Sequence, residues 1–308
     1  MTLTELKYIV AVARLQHFGK AAEACFVSQP TLSVAVKKLE EQLDIAIFER
    51  GKSHVAVTPQ GEKIVQQAQR VLEEAAVIEK IAKQGKDQLA EPLRVGAIFT
   101  IGPYLLPYLV PVLHELAPDM ALVLEENYTA VLSEQLGNGE LDVIIISLPF
   151  EKPGIVTQVI YEEDFVFLLP KNHPWEKRKS IDAREIDADN VLLLGQGHCF
   201  RDQVIEACPN CRPGAFTESS MQKMVEGSSL ETIRYMVASG MGTTVLPCSA
   251  AASQDASKNL LTVRQFDSPP PKRQVALAWR SSFPRPQAID ILKQALRSSN
   301  LSCIQLID

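Results

Sequence analysis

The sequence predicts a chain of the α+β class in three parts, and three observations support this prediction. Residues 1–60 combine short helical patterns with two short β segments, as in a winged helix-turn-helix. Residues 61–90 contain one long helical pattern followed by a short hinge. In residues 91–308 strands alternate with helices, which is typical of an α/β domain whose largely parallel sheet is covered on both faces.

Composition and charge restrict the functions open to the chain. Its 308 residues are 46% hydrophobic and 22% charged, as in soluble proteins with more than one domain. The longest strongly apolar run, Val143 to Ile146, is too short to span a bilayer, and the first residues lack a secretory signal. We therefore expect a cytoplasmic location and no membrane partner. The net charge is −6, but residues 1–94 carry 13 Lys and Arg against 12 Asp and Glu, so this part can still present cations to DNA on one face.

The most informative helix of the first part begins near Ser28. Ser28 is a good N-cap residue, and Pro30 suits a first helical turn. Leu32, Val36 and Leu39 form an apolar stripe along one side. The outward-facing residues are of types that hydrogen-bond base edges and phosphates: Gln29, Thr31, Ser33, Lys37 and Lys38. Taken alone, this pattern also fits a plain three-helix domain with a solvated polar face.

The residues that follow favour the DNA-binding interpretation. Two β segments, residues 43–50 and 55–61, flank Gly51–His54 and predict a winged hairpin whose basic Arg50 and Lys52 reach the DNA backbone. The predicted DNA contacts are Ser28, Gln29, Pro30, Thr31, Ser33, Lys37, Arg50 and Lys52.

A long amphipathic helix is predicted between Gly61 and Gly85, which contain no proline or glycine between them. Its apolar stripe needs a partner. A second copy of the helix would give a dimer with two DNA-reading heads on one duplex. The alternative is packing of the stripe against its own domain. The stripe consists of Ile64, Ala68, Val71, Leu72, Ala75, Ile78 and Ala82.

The segment from Gly197 to Cys208 carries the clearest chemical signal. It follows an apolar strand pattern at 191–194 and predicts a helix that opens near Cys199, beside His198 and an arginine. Nearby cations or a helix N-terminus lower the pKa of a thiol. An unbroken helix would place the Cα atoms of Cys199 and Cys208 roughly 13 Å apart. A disulfide requires about 7 Å or less, so these cysteines either never bond or bond only when the segment unwinds.

The other cysteines are assigned by their surroundings. Six cysteines scattered over 308 residues do not resemble a secreted disulfide framework. Cys25 and Cys248 lie in apolar patterns and are expected to be buried and inert. Cys208 and Cys211 form a C-x-x-C pair, which leaves open a competing resolving thiol at Cys211 or a zinc site completed by His198 and Cys199.

The first sixty residues resemble the N-terminal domain of LysR-type transcriptional regulators. The matching motifs are Phe18-x-x-Ala21-Ala22, Ser28 to Ser33, Leu39-Glu40, Phe48-x-Arg50 and Thr58-x-x-Gly61. The resemblance implies double-stranded operator DNA as a partner, self-association into a dimer and further into a homotetramer, and contact with RNA polymerase. It also implies that residues 91–308 form a regulatory domain of the periplasmic-binding-protein type with two lobes. Lobe I would comprise about 91–162 and 268–308, and lobe II about 163–267.

Within this type, the chain resembles the hydrogen-peroxide sensors. The likeness lies in Gly197 to Gln203 with Cys208, in Ser229 to Thr232 and in Arg273 to Arg280. It implies that peroxide oxidises Cys199 to a sulfenic acid, that Cys208 resolves it to a disulfide, and that the chain activates oxidative-stress genes. The positions implied for the peroxide pocket are Thr100, Thr129, His198, Asp202 and Arg273. Some relatives carry a histidine in the loop after the second cysteine, and this chain has none there, so any such role passes to another residue, for which Gln222 is the candidate.

Two other functions remain open at this point. One is a LysR-type regulator that binds a small anionic metabolite between the lobes, with the cysteines incidental. The other is a thiol peroxidase, which would leave the reading head and the long helix unexplained. We expect no cofactor, and a regulator rather than an enzyme.

Overall fold

The computed structural model describes most of the chain as two compact units, residues 1–86 and 87–308. The described residues are 1–50, 55–82, 88–186, 191–208, 210, 226–252 and 258–307. Arg50, residues 79–82, Glu226 and Lys258 are described by their backbone alone. The predicted DNA contact at Lys52, together with Cys211 and Gln222, lies outside the described residues.

The first unit is a helix-turn-helix with a two-stranded wing and a long final helix. Its elements are α1 (Leu3–Leu15), α2 (Phe18–Ala24), α3 (Gln29–Leu43), β1 (Phe48–Arg50), β2 (Val55–Val57) and α4 (Pro59–Ala82). Ser28 caps α3 by accepting a hydrogen bond from the amide of Thr31 at 3.3 Å, and the apolar stripe of α3 is fully buried, as the sequence predicts. The wing strands pair antiparallel, with Phe48 opposite Val57.

Residues of the motifs that resemble the LysR type hold the wing against α3 and α4. Glu40 accepts hydrogen bonds from the amides of Ile47 at 2.8 Å and Phe48 at 3.0 Å. Thr58 donates to the carbonyl oxygen of Ala46 at 2.8 Å. Gly61 allows α4 to start close beside the wing, because a Cβ there would lie 2.3 Å from the Ile47 carbonyl oxygen. These motifs therefore fix the position of the wing.

The two ends of α4 have different surroundings within the first unit. Ala68 is buried, and Ile64, Val65 and Leu72 pack against the core of the reading head. Further along the same stripe, the side chain of Ile78 is 70% exposed. The first half of α4 thus packs on its own domain, and the second half presents apolar surface.

The second unit is an α/β structure. Its elements are β3 (Leu93–Ile98), α5 (Gly102–Leu116), β4 (Leu122–Asn127), α6 (Thr129–Gly137), β5 (Val143–Ser147), β6 (Ile155–Pro170), β7 (Ser180–Ile181), β8 (Leu193–Leu194), α7 (Cys199–Ala207), β9 (Glu226–Gly227), α8 (Leu230–Ala238), β10 (Thr244–Pro247), α9 (Cys248–Ala251), β11 (Leu261–Phe266), β12 (Lys272–Arg280), α10 (Pro286–Ser298) and β13 (Ile304–Leu306).

The sheet of the second unit is mixed, so the prediction of a largely parallel sheet is wrong. Strands β3, β4 and β5 are parallel, as alternation with helices requires. Strand β12 runs antiparallel to both β5 and β6, and β10, β11 and β13 also pair antiparallel with β6. The antiparallel half of the sheet is built around β6 and β12, which pair with each other along most of β12.

The long strand β6 joins two hydrophobic cores. Its residues Ile160 and Tyr161 belong to the core that contains β3, β5, α5 and α10. Its residues 165–169 belong to a second core with α7, α8 and β10. We refer to these as the lobe I core and the lobe II core.

Candidate functional site

A small pocket lies where three helices of the second unit begin. Helix α6 starts at Thr129, α7 starts at Cys199, and Thr100 lies two residues before α5. The pocket has a volume of about 10 Å³ and is lined by Ile98, Phe99, Thr100, Asn127, Tyr128, Thr129, Gly197, His198 and Cys199. Helix N-termini present unpaired N–H groups and favour negative charge. The pocket therefore favours a negative charge, and it has room for one molecule about the size of water.

Cys199 is the cysteine that lines this pocket. The side chain is half-buried, and the hydroxyl group of Thr129 donates a hydrogen bond to its sulfur at 3.8 Å. Gly197 brings the preceding loop beneath Tyr128. Its φ of +95° disfavours a side chain, and a Cβ added there would lie 3.3 Å from the Tyr128 ring. Cys199 and Thr129 thus share one pocket.

His198 lies in an aromatic cluster rather than acting as a cation beside Cys199. Its ring centroid is 4.8 Å from that of Tyr128 and 5.9 Å from that of Phe99. Burial lowers the pKa of His198, and a hydrogen bond to the backbone of Ser228 acts in the opposite direction more weakly. The other predicted cation, Arg201, is buried and donates to the carbonyl oxygen of Leu194 at 2.6 Å. The sulfur of Cys199 therefore lies at the start of α7 with the hydroxyl of Thr129 as its described hydrogen-bond donor.

Arg273 supports the pocket from behind. It lies opposite Glu163 in the β12–β6 pair, and its Nε donates to Glu163 Oε1 at 2.8 Å. Its two terminal nitrogens donate to the hydroxyl of Thr100 at 3.0 Å and to the Thr100 carbonyl oxygen at 2.9 Å. Both side chains of the ion pair are fully buried. Arg273 does not line the small pocket, and it acts on it through Thr100.

Asp202 does not lie in the pocket as its motif suggested, and Gln203 makes a contact that the motif did not suggest. Asp202 is exposed on the first turn of α7 and does not line the pocket. Gln203, which the sequence did not single out, donates to the hydroxyl of Ser147 and to the carbonyl oxygen of Leu148, both at 2.9 Å. Since Ser147 ends β5, whose residues belong to the lobe I core, Gln203 anchors α7 to the strand of the other core. Local sequence patterns do not reveal this contact, because its residues are more than fifty positions apart.

Helix α7 holds its two cysteines in different cores. Cys199 packs against the lobe I core, whereas Cys208 is 0% exposed within the lobe II core. Phe200 and Val204 on the same helix are also buried in lobe II. Cys208 caps the end of the helix, with its amide bonded to the Val204 carbonyl oxygen at 2.9 Å. The helix is continuous between the thiols, so a Cys199–Cys208 disulfide requires α7 to unwind.

The remaining described cysteines divide into two cases. Cys25 is half-buried, and burial raises the pKa of its thiol. Cys248 is buried as predicted but is joined to Cys303 in a disulfide, so the prediction that it is an inert free cysteine is wrong. Strand β13 brings Cys303 to it across 55 residues of sequence, a distance that no local pattern reveals. Within the described residues, no cluster of three or more His, Cys, Asp and Glu side chains is arranged to hold a metal.

A larger cleft of about 590 Å³ is lined by residues that follow β5, by the second half of α7 and by the start of β12. Its two cations are Lys272, which forms an ion pair with Glu162, and Arg273, which is paired with Glu163. Carboxylates of Glu151 and Glu206 also line it. The charges of this cleft thus do not favour an anionic metabolite.

Five of the eight predicted DNA contacts lie at the start of α3, and Arg50 is the last residue of β1. Gln29, Pro30 and Thr31 are exposed, and Ser33 is partly exposed. The hydroxyls of Ser28 and Thr31 lie 2.8 Å apart in a mutual hydrogen bond. On the next turns, exposed Lys37 forms an ion pair with Glu41 at 3.5 Å.

Comparison with known proteins gives the class of this arrangement. Residues 3–62 match the family described as bacterial regulatory helix-turn-helix protein, lysR family, and residues 86–300 match the LysR substrate binding domain. The chain belongs to the LysR family of bacterial regulators, which confirms the resemblance of its motifs. Among the described residues, no helix is long and apolar enough to cross a membrane.

Within this family, the chain is similar to OxyR proteins along nearly its whole length. It is 34% identical over 298 residues to the DNA-binding transcriptional dual regulator OxyR of Escherichia coli K12, covering 97% of this chain and 95% of the relative. Full-length OxyR of Pseudomonas aeruginosa with a cysteine-to-aspartate substitution is 54% identical, with a TM-score of 0.79 over 98% of this chain and 96% of that one. A hydrogen-peroxide-bound cysteine mutant of Corynebacterium glutamicum OxyR is 33% identical, with a TM-score of 0.61 over 96% and 91%. These similarities confirm the predicted likeness to the peroxide sensors.

Proposed function

We propose that the chain is a transcriptional regulator that senses hydrogen peroxide through Cys199 and activates oxidative-stress genes. The observation that carries this proposal is the position of Cys199 at the first residue of α7, in a pocket of about 10 Å³ where two other helices begin. The N–H groups there stabilise a thiolate and the hydroxide that leaves from peroxide. The names of the relatives, which include hydrogen peroxide-inducible genes activators, support the same function.

The reaction takes two steps. In the first, the Cys199 thiolate attacks one oxygen of hydrogen peroxide, so that a sulfur–oxygen bond forms, the oxygen–oxygen bond breaks, and the departing hydroxide takes up a proton to become water. In the second, the Cys208 thiolate attacks Sγ of Cys199, so that the disulfide forms and the sulfenic oxygen leaves as a second water. Two thiols lose two electrons, and one peroxide gains them.

The pocket residues have separate roles in the first step. Thr129 donates to the sulfur of Cys199 and directs it. The Thr100 oxygen accepts from Arg273, which leaves its own hydroxyl proton for a peroxide oxygen. His198 is neutral near pH 7, since its pKa is lowered, and one ring nitrogen is then an acceptor. Arg273 is a positioning residue. Asp202 lies in the first turn of α7, where a carboxylate stabilises the helix and so favours the state in which the thiols are reduced.

The second step turns oxidation into a change of structure. Unwinding α7 takes Cys208, Phe200 and Val204 out of the lobe II core and breaks the bonds of Gln203 to lobe I. Burial of each apolar side chain contributes about 1.5–3 kcal/mol, so the reduced helix resists unwinding until a covalent bond offsets that cost. This bistable element is what links the thiols to the rest of the regulator.

The helix-turn-helix domain binds DNA and so carries the regulatory response. Residues 1–60 bind operator DNA through the start of α3 and the wing, and the apolar end of α4, at Val71 and Ile78, pairs with a second copy. The dimer assembles further into a homotetramer, acts in the cytoplasm and contacts RNA polymerase. The chain needs no cofactor, and it is a regulator rather than an enzyme.

Thiol mapping of the full-length chain tests the proposal. The reduced protein is treated with one equivalent of hydrogen peroxide, free thiols are alkylated, and peptides are identified by mass. We expect a Cys199–Cys208 peptide pair after peroxide, and an altered footprint on promoter DNA. If both thiols are still alkylated, peroxide sensing by this pair is excluded; a cross-link from Cys199 to Cys211 instead would assign resolution to Cys211.

Two controls separate the other functions. A Cys199→Ser variant that still responds to a metabolite in the footprint would show a metabolite regulator with incidental cysteines. Repeated turnover of peroxide with a dithiol reductant, at a rate typical of enzymes of about 1 per second or more, would show a thiol peroxidase. Without reductant, a sensor consumes peroxide only until its reactive cysteine pairs are oxidised.

A further inference from the structure

A second pair of cysteines lies outside the peroxide pocket. Cys248, the first residue of α9, is joined to Cys303, which immediately precedes β13, and their Cα atoms are 6.1 Å apart. This separation is within the range of disulfides. The bond closes 55 residues of chain and attaches the last strand of the second unit to α9. The sensing reaction of Cys199 and Cys208 does not use either sulfur.

Small reagents can reach this bond. Cys248 is 5% exposed, but Cys303 is exposed, and both line a cavity of about 430 Å³. The cavity is also lined by Glu162, Asp164 and Lys272. Exposed disulfides are the ones that small thiols reduce and small oxidants restore. In a reducing compartment such a pair does not remain permanently oxidised.

Both cysteines are next to residues that contact Glu163. The amide of Ser249, which follows Cys248, donates to Glu163 Oε2 at 3.2 Å. Ile304, which follows Cys303, lies opposite Glu163 in the pair of β13 with β6. Glu163 is the buried partner of Arg273, and Arg273 holds Thr100 in the peroxide pocket. The Cys248–Cys303 disulfide therefore joins two segments that contact Glu163, whose carboxylate positions Arg273 and, through it, Thr100 in the peroxide pocket.

We propose that Cys248 and Cys303 form a second redox-active disulfide, oxidised by hydrogen peroxide independently of Cys199 and Cys208. The exposed Cys303 thiolate attacks peroxide, forming a sulfenic acid and releasing hydroxide, which is protonated to water. The Cys248 thiolate then attacks the Cys303 sulfur, and the sulfenic oxygen leaves as a second water. Two thiols are oxidised by two electrons and one peroxide is reduced. The oxidised pair fixes β13 and α9 on either side of Glu163.

The test uses the full-length chain with Cys199→Ser and Cys208→Ser, which removes the sensing pair. The protein is reduced with dithiothreitol under native conditions, freed of reductant, and divided into untreated and peroxide-treated samples before alkylation and peptide mapping. We expect both cysteines alkylated before peroxide and a Cys248–Cys303 peptide pair after it. Two free thiols after peroxide, or a bond that dithiothreitol leaves intact, would overturn the proposal.

A matched variant tests the mechanical part. In the same background, adding Cys303→Ser keeps a residue of nearly equal size and removes the bond. A disulfide of this loop size raises the Tm of a domain of about 200 residues by about 8–16 °C. We expect that difference between the oxidised parent and the Cys303→Ser variant, and no difference once the parent is reduced. Equal Tm values in the oxidised state would show that the bond does not hold β13 to the domain.

Discussion

Arg273 donates to both the hydroxyl oxygen and the carbonyl oxygen of Thr100, at 3.0 and 2.9 Å. An arginine on β12 thereby sets the orientation of a side chain that precedes α5, 173 residues earlier in the sequence. The hydroxyl proton of Thr100 is left for the pocket, because its oxygen is already an acceptor.

Removing this hydroxyl should slow the oxidation of Cys199. Thr100→Val keeps the shape of the side chain and the bond from Arg273 to the backbone. A hydrogen bond to a charged group contributes about 1.5–3 kcal/mol, so the rate should fall about tenfold to a hundredfold. Rapid quenching with an alkylating agent, in a Cys208→Ser background, measures it. Thr100→Ser is the control and should keep most of the rate; equal rates for the valine and serine variants would contradict the role of the hydroxyl.

Gln203→Ala should make the Cys199–Cys208 disulfide more stable relative to the thiols. The substitution removes the two bonds from α7 to Ser147 and Leu148, which exist only while the helix is docked. Each is worth about 0.5–1.5 kcal/mol, and 1.4 kcal/mol corresponds to about 30 mV for two electrons. The midpoint potential, measured in glutathione buffers, should become about 20–60 mV more negative. Glu206→Gln, on the exposed side of α7, should leave it unchanged, and a shift of equal size there would argue against anchoring by Gln203.

Replacing His198 should change how stability depends on pH. Burial holds the pKa of His198 below its ordinary value of about 6.5, so the unfolded chain binds a proton that the folded chain rejects. The stability that depends on neutral His198 is fully present above pH 6.5 and is lost as the pH falls below 6.5 towards the lower pKa of the folded state. In reduced protein, urea unfolding between pH 5 and 8 should show a shallower decline for His198→Gln than for the parent. Parallel curves would indicate that this histidine titrates alike in both states.

The exposed end of α4 should control self-association. Ile78→Glu places a charge in the apolar surface that we assign to the partner helix, where its desolvation would be costly. Sedimentation should show a shift from the assembled form towards single chains, with the circular dichroism of the helix retained. Glu74→Gln, on the same helix, is the matched control. An Ile78→Glu protein that sediments like the control would remove α4 from the interface.

Lys37 should contribute one phosphate contact to DNA binding. Lys37→Ala should weaken binding to duplex DNA of any sequence and reduce the slope of log affinity against log salt by about 1. Fluorescence anisotropy at several salt concentrations measures this slope. Glu41→Gln removes the ion-pair partner of Lys37 and leaves its charge in place, so the slope should be retained. An unchanged slope for Lys37→Ala would place this lysine away from the phosphates.

The parts of the fold that sequence reasoning predicted are those governed by local rules. Capping by Ser28, the apolar stripe of α3 and the start of α7 at Cys199 depend on neighbouring residues, and all three are found. Thr100, Thr129 and Cys199 lie together in one pocket, as the general rule that loops after the strands of an open sheet meet at one edge would lead one to expect, but it is the resemblance to the peroxide sensors that assigns the two threonines to it.

The parts that were missed depend on contacts between distant residues. The antiparallel pairing of β12 with β6 and the bond of Cys248 to Cys303 join segments that are far apart in sequence and carry no local signal of pairing. Asp202 was assigned to the pocket by its motif, yet the turn of the helix points it to solvent. Arg201 likewise lies beside Cys199 in sequence but faces Leu194.

The complete burial of Cys208 in the lobe II core has a consequence for timing. Once Cys199 carries a sulfenic acid, the second thiol reaches it only when α7 opens, so the rate of disulfide formation is limited by a folding event and not by the peroxide concentration. The rate of the first step depends on the peroxide concentration, whereas the rate of the second depends on the opening of α7. After a brief pulse of oxidant, a cellular thiol can reduce the sulfenic acid before the helix opens. Longer exposure regenerates the sulfenic acid until the helix opens and the disulfide forms.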